Sequence, residues 1–100
     1  MALVGSRVIL ESAILITNTA KTLADLGLDP ALIATADTVN ITVEAAARYT
    51  YGTIVPTAAI GHYLVAQTPK DIRAVSALRY MKFIRVGGSD VVGFVTLSKL

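Results

Sequence analysis

The side chains that could perform acid–base or metal chemistry are few and lie far apart. His62 is the one histidine, and the chain has no cysteine. A single histidine cannot form a two-histidine metal site or a histidine dyad within one chain. The seven Asp and Glu residues are scattered without calcium-loop spacing, and no glycine-rich phosphate-binding motif occurs. We therefore expect no enzyme, no catalytic residue, no metal and no cofactor, and we expect His62 to be a structural or interfacial residue.

Cations do cluster in one stretch of sixteen residues, where Tyr80 and Phe83 accompany them. This predicted basic surface comprises Lys70, Arg73, Arg79, Lys82 and Arg85. Cations beside exposed aromatic rings are typical of nucleic-acid contact, whereas the alternative is a solvated face or one that pairs with a neighbour's acidic groups. The net charge is only +2. We favour the second interpretation and do not expect nucleic acid as a partner.

The chain is unusually apolar for its length. Hydrophobic residues make up 54% and charged residues 16%, against about 45–50% and about 25% in average soluble domains. The longest uncharged stretch, between Arg48 and Lys70, contains proline, glycines and several threonines, so it does not resemble a membrane-spanning helix. We expect no membrane association, and we expect the apolar excess to be buried between subunits.

The elements that would carry these residues are mostly strands. Arg7 to Thr17 is rich in valine and isoleucine and predicts a first strand, with Glu11 at an edge or a bulge. Asp29 before Pro30 predicts the start of a short helix that covers one end of the fold. Val39 to Tyr51 predicts the longest strand, because apolar and polar residues alternate at its start. Another strand is predicted to begin after Gly61.

The second half of the chain leaves one choice open. Residues 68–86 fit either an amphipathic helix that begins near Thr68, or two strands over residues 72–77 and 82–86, joined by a tight turn near Leu78 to Tyr80. We favour the strands, because Phe83, Ile84 and Val86 directly precede two glycines. Residues 87–90, GGSD, then predict a hairpin into a final strand that is apolar on both faces.

Together these elements predict a single domain over residues 1–100. About six short strands and one short helix pack most economically as a mainly β fold, a β-sandwich or jelly roll. The uncharged loop that follows the alternating strand is the leading candidate for contact between subunits. Its predicted contact residues are Tyr51, Thr53, Ile54, Val55, Pro56 and His62.

Two stretches of the sequence resemble a known group of proteins. In the first, ARYTYGTIVPTAAIGHYL, an Arg-Tyr-Thr strand runs into a Gly-Thr turn, a Pro-Thr and a further glycine; these are Arg48, Tyr49, Thr50, Gly52, Thr53, Pro56, Thr57 and Gly61. The second, FIRVGGSDVVGFVTL, contributes Phe83, Ile84, Val95 and Thr96. Together with the preceding DPALIATAD and ITV segments, these stretches make the chain resemble, over about residues 28–97, small β-sandwich virion proteins of tailed bacteriophages. It departs from them at Tyr51, where an acidic residue is common.

This resemblance implies a non-enzymatic virion structural protein, such as a capsid decoration or cement protein, or a head–tail connector or tail component. Its partners would be copies of itself and other virion proteins such as a major capsid protein. The first residues show neither a basic n-region nor a distinct cleavage site, so we expect synthesis in the host cytoplasm and location in the virion. The alternative is a small carbohydrate- or nucleic-acid-binding module that uses Tyr49, Tyr51, Tyr63 and the basic surface.

Overall fold

Alternating apolar side chains build one core between two sheets. The computed structural model describes residues 7–73 and 77–99. The strands are β1 (Arg7–Ile16), β2 (Lys21–Thr22), β3 (Thr38–Val43), β4 (Ala47–Thr50), β5 (His62–Leu64), β6 (Lys70–Arg73), β7 (Lys82–Arg85) and β8 (Val91–Lys99). One helix, α1 (Pro30–Thr35), and one 3₁₀ turn (Leu78–Tyr80) complete the elements. As the alternation predicts, Val39, Ile41 and Val43 all point into the core.

The strands form two four-stranded antiparallel sheets. The first sheet has the order β1-β8-β3-β6 and the second sheet the order β2-β7-β4-β5. The chain changes sheet at nearly every connection, so strands that are adjacent in sequence seldom pair. Eight strands arranged in this way form a jelly roll. The predicted mainly β fold is therefore confirmed, with eight strands in place of about six.

The short helix forms where its capping residues predict it. The Asp29 carboxylate accepts a hydrogen bond from the backbone N–H of Ala31 at 2.9 Å, and Pro30 occupies the first turn. Ile33 is buried, and α1 packs against the 3₁₀ turn. Along the part of the chain that the structure describes, no helix is long and apolar enough to cross a membrane.

The single long strand predicted from Val39 to Tyr51 is wrong. The chain bends at Glu44 and Ala45 and continues as β4 in the other sheet. Both of these residues are exposed, whereas Val43 before them and Ala47 after them are buried. Because the inward positions continue on both sides of the bend, the sequence pattern does not reveal that the two halves face each other across the core.

Between residues 68 and 86 the described residues form strands β6 and β7 with the 3₁₀ turn before β7, so the strands are confirmed over the helix. The strand predicted over residues 72–77 includes residues 74–76, which lie outside the described residues. The two strands do not pair, because β6 belongs to the first sheet and β7 to the second. The predicted hairpin at residues 87–90 is wrong for the same reason. A glycine-rich loop can connect strands of two different sheets as well as the two strands of a hairpin.

Candidate interaction surface

The uncharged loop of residues 51–61 is fixed to the protein by Arg48. The guanidinium of Arg48 donates hydrogen bonds to the carbonyl oxygens of Ala58 at 3.1 Å and Gly61 at 2.9 Å. It also lies over the ring of Tyr63, 5.0 Å from the ring centroid. A guanidinium presents several donors in one plane, so it can hold two carbonyl groups and an aromatic ring at once. A single side chain of β4 thus fixes the far end of the loop.

Two glycines allow the loop to approach the neighbouring backbone. Gly52 has φ +100° and Gly61 has φ +129°. Residues with a side chain rarely adopt these backbone conformations. A Cβ at Gly52 would lie 2.5 Å from the carbonyl oxygen of Tyr80, and one at Gly61 would lie 2.9 Å from that of Tyr49. The loop is therefore in close contact with the 3₁₀ turn at its start and with β4 at its end.

Hydrogen bonds within the loop give it further order. The hydroxyl of Thr50 donates to the carbonyl oxygen of Ile54. Thr57 and Ile60 exchange backbone hydrogen bonds, and the Thr57 hydroxyl accepts from the N–H of Ile60 at 3.0 Å. Pro56 is fully buried under the loop. This corrects its predicted role as a contact residue, because its side chain supports the loop and offers no surface to a partner.

The outward side of the loop is apolar. Tyr51, Ile54, Val55 and Ile60 are 39%, 60%, 57% and 52% exposed. Beside them lies an open depression of about 310 Å³, lined by Thr50, Tyr51, Thr53, Ile54, Ile60, Gly61 and His62. The structure thus brings together four of the six predicted contact residues, namely Tyr51, Thr53, Ile54 and His62, and leaves Val55 exposed nearby. Ile60 was missed, although it belongs to the same uncharged stretch.

Aromatic rings form the base of this surface. The Tyr49 ring lies 5.0 Å from His62, 5.8 Å from Tyr51 and 6.0 Å from Phe83, measured between centroids. Burial, together with the neighbouring Tyr51, raises the pKa of Tyr49 to about 12. Because Tyr49 is only 3% exposed, it cannot stack on a bound sugar or base. This corrects its place in the alternative binding module, whereas Tyr51 and Tyr63 remain exposed.

The predicted basic surface is distributed over both sheets. Lys70 and Arg73 lie on β6 at the edge of the first sheet, whereas Lys82 and Arg85 lie on β7 inside the second. Arg79 lies on the 3₁₀ turn, with its guanidinium over the ring of Tyr80. Arg85 forms an ion pair with Asp90. The five cations therefore do not follow one strand or one helical face.

A second apolar surface lies on the outer face of the first sheet. Leu15 pairs with Val92, and Ala13 pairs with Phe94, across β1 and β8. Leu15, Val92 and Phe94 are each about half exposed. The final strand was predicted to be apolar on both faces. In the single chain its inner face is buried in the core, and its outer face remains open.

Within residues 7–73 and 77–99, no group of three His, Asp or Glu side chains is arranged to hold a metal ion. No protein-family model, no curated protein and no solved structure matches the chain.

Proposed function

We propose that this chain is a non-enzymatic structural protein of a tailed-phage virion, a capsid decoration or cement protein that acts through protein–protein contacts. Its partners are copies of itself and other virion proteins such as the major capsid protein. Support comes from the sequence resemblance and from the jelly-roll topology, an architecture that viral capsid domains use. The fold alone does not assign a function, because lectin domains share it.

The observation that carries the proposal is the fixed apolar surface of loop 51–61. The four exposed apolar side chains there are held by Arg48, the buried Pro56 and two close backbone contacts. Burying such a side chain fully contributes about 1.5–3 kcal/mol, so covering the exposed half of each contributes about 1 kcal/mol. A preformed loop also loses little conformational entropy on binding. Both effects favour a lasting contact with another protein.

Two alternative functions are consistent with part of these observations. A head–tail connector or tail component would use the same surface at another place in the particle. A carbohydrate-binding module is favoured by the exposed Tyr51 and Tyr63 rings and by the depression beside them. Isothermal titration calorimetry with simple glycans distinguishes a carbohydrate-binding module from a decoration protein, because the decoration protein gives no heat of binding.

The test is co-sedimentation of the purified protein with phage capsids that lack it. The wild-type chain should sediment with the capsids, and Ile54→Lys should reduce the bound fraction at least about tenfold, because it places a charge in the apolar contact. Ala24→Lys is the matched control, since Ala24 is exposed in a separate turn. Wild-type protein that stays in the supernatant contradicts the proposal. The reading frames beside its gene give independent support if they encode a capsid or portal protein.

A further inference from the structure

The free edge of β1 differs from the other three sheet edges. β2 has two residues and β5 has three, so neither offers a long ladder. β6 has four residues, three of them charged, and follows Pro69. Short strands, charges and proline protect an edge from pairing. β1 has ten residues and no proline, carries two charged residues, Arg7 and Glu11, and pairs with β8 alone among the described strands.

The hydrogen-bond pattern shows which groups of β1 face this free edge. The N–H of Glu44 donates to the carbonyl oxygen of Val92 at 3.0 Å, so Val92 directs its polar groups toward β3. Leu15 lies opposite Val92 on the other side of β8. In an antiparallel ladder such a residue directs its own N–H and C=O away from the shared strand, and every second residue does the same. Glu11, Ala13 and Leu15 therefore present their backbone groups outward.

We propose that the β1 edge pairs antiparallel with the β1 edge of a second copy, joining two first sheets into one sheet of eight strands. The proposal rests on the proposed structural function, since it names one interface of the oligomer. The pairing that uses all three outward residues places Ala13 opposite Ala13 of the second copy, and Glu11 opposite Leu15 of the second copy. Each hydrogen-bonded pair exchanges two bonds, so the three pairs exchange six.

The side chains suit this register. The small Ala13 lies at the twofold axis, where two large side chains would crowd each other. Glu11 meets Leu15 of the second copy and not another Glu11, so no like charges face each other. Ile9 and Leu10, which are partly buried and pack against the core at this edge, gain cover from the second copy. The apolar outer faces around Phe94 then lie on the same side of the joined sheet.

The paired part of β1 is long enough for a small interface. In this register residues 10–16 lie opposite residues 16–10 of the second copy, and seven residues of strand span about 23 Å. The shortest dimension of the molecule is 20 Å, so the side of the sandwich along these residues projects about 460 Å² per copy, about 900 Å² in all, the size of a weak or transient interface. The register shift between Val8 and Leu10 interrupts the ladder at one end, so the regular pairing runs from Leu10 to Ile16.

Substitutions at Ala13 test the pairing by light scattering after size exclusion. The wild-type chain should be a dimer or a multiple of one. Ala13→Lys should raise the dissociation constant of the dimer at least about tenfold, because it places two ammonium groups face to face. Thr42→Lys is the matched control, since Thr42 shares the outer face but lies on an interior strand. Mixing Ala13→Lys with Ala13→Glu should restore the dimer.

Cross-linking gives a second measurement that needs no change of charge. The chain has no cysteine, so Ala13→Cys introduces a single thiol. Directly opposed residues of a hydrogen-bonded pair lie about 5.5 Å apart between Cα atoms, within disulfide range. Mild oxidation should therefore link Ala13→Cys into a dimer and leave Thr42→Cys unlinked.

The inference is overturned if the wild-type chain is a monomer at millimolar concentration, if Ala13→Lys leaves the oligomer intact, or if Ala13→Cys does not cross-link. An oligomer that dissociates with Ile54→Lys but not with Ala13→Lys also overturns it, while the loop-based function stands. Conversely, efficient cross-linking at Ala13 in a protein that does not bind capsids supports the edge pairing and contradicts the proposed function.

Discussion

Replacing Gly52 by alanine should destabilise the protein more than the same replacement at any other glycine among residues 7–73 and 77–99. Gly52 has φ +100°, and a Cβ there would lie 2.5 Å from the carbonyl oxygen and 2.8 Å from the Cβ of Tyr80. Neither atom is the end of a flexible side chain, so the loop or the 3₁₀ turn must move. The substitution therefore measures how firmly loop 51–61 is packed against the rest of the fold.

The magnitude has two parts. A non-glycine residue held at this φ costs about 1–3 kcal/mol. Forcing a methyl group into a filled space costs about 1–3 kcal/mol more. We expect Gly52→Ala to lower the free energy of unfolding by about 2–6 kcal/mol, a large share of the about 5–15 kcal/mol that stabilises a typical domain.

Two other glycines separate these parts. Gly27 has φ +107° but nothing within 4 Å of its would-be Cβ, so Gly27→Ala should show the backbone cost alone, about 1–3 kcal/mol. Gly88 has nothing within 4 Å of its would-be Cβ and no positive φ. Gly88→Ala should therefore change the free energy of unfolding by less than about 0.5 kcal/mol. Urea denaturation followed by circular dichroism measures all three. If Gly52→Ala and Gly27→Ala cost the same, the close contact between Gly52 and Tyr80 is refuted.

Three further predictions concern the core, the loop and the pH dependence. Ile41→Asp should cost at least about 3 kcal/mol in urea unfolding, because Ile41 is fully buried, whereas Ile41→Val should cost about 0.5–1.5 kcal/mol; equal stability of Ile41→Asp and wild type would show that this face of β3 is not in the core. Arg48→Lys should cost about 1–2 kcal/mol, because an ammonium cannot hold both carbonyl groups, and amide exchange should quicken at residues 58–61; unchanged exchange would argue against the anchoring role. The pKa of Tyr49 is raised to about 12 from an ordinary value of 10.0, so the unfolded chain ionises first and stability should fall as the pH rises from 10 to 12. Tyr49→Phe should reduce that fall in thermal melts over this range, and an identical pH profile would contradict the assignment.

Local patterns in the sequence were sufficient for the inward face of β3 and for the start of the helix. The alternation of Val39, Ile41 and Val43 identifies one face of β3, because successive side chains of a strand point to opposite sides. Asp29 and Pro30 mark the start of α1, because capping and proline geometry act within one turn of chain. The uncharged stretch after Tyr51 likewise identified the loop that carries the apolar surface. These features depend on neighbours within a few residues.

The tertiary structure decided which strands pair and which side chains meet. Nothing near Glu44 or Gly87 indicates that the chain crosses to the other sheet, because an inward residue remains inward in either sheet. The sequence also could not show that Pro56 is buried, that the cations of residues 70–85 lie on both sheets, or that Arg48 binds the carbonyl groups of Ala58 and Gly61. These features depend on how distant parts of the chain pack together. The sequence by itself determined a small, apolar, mainly β domain with an uncharged loop. Long-range packing determined the shape of that loop and left the β1 edge unpaired by any other described strand than β8.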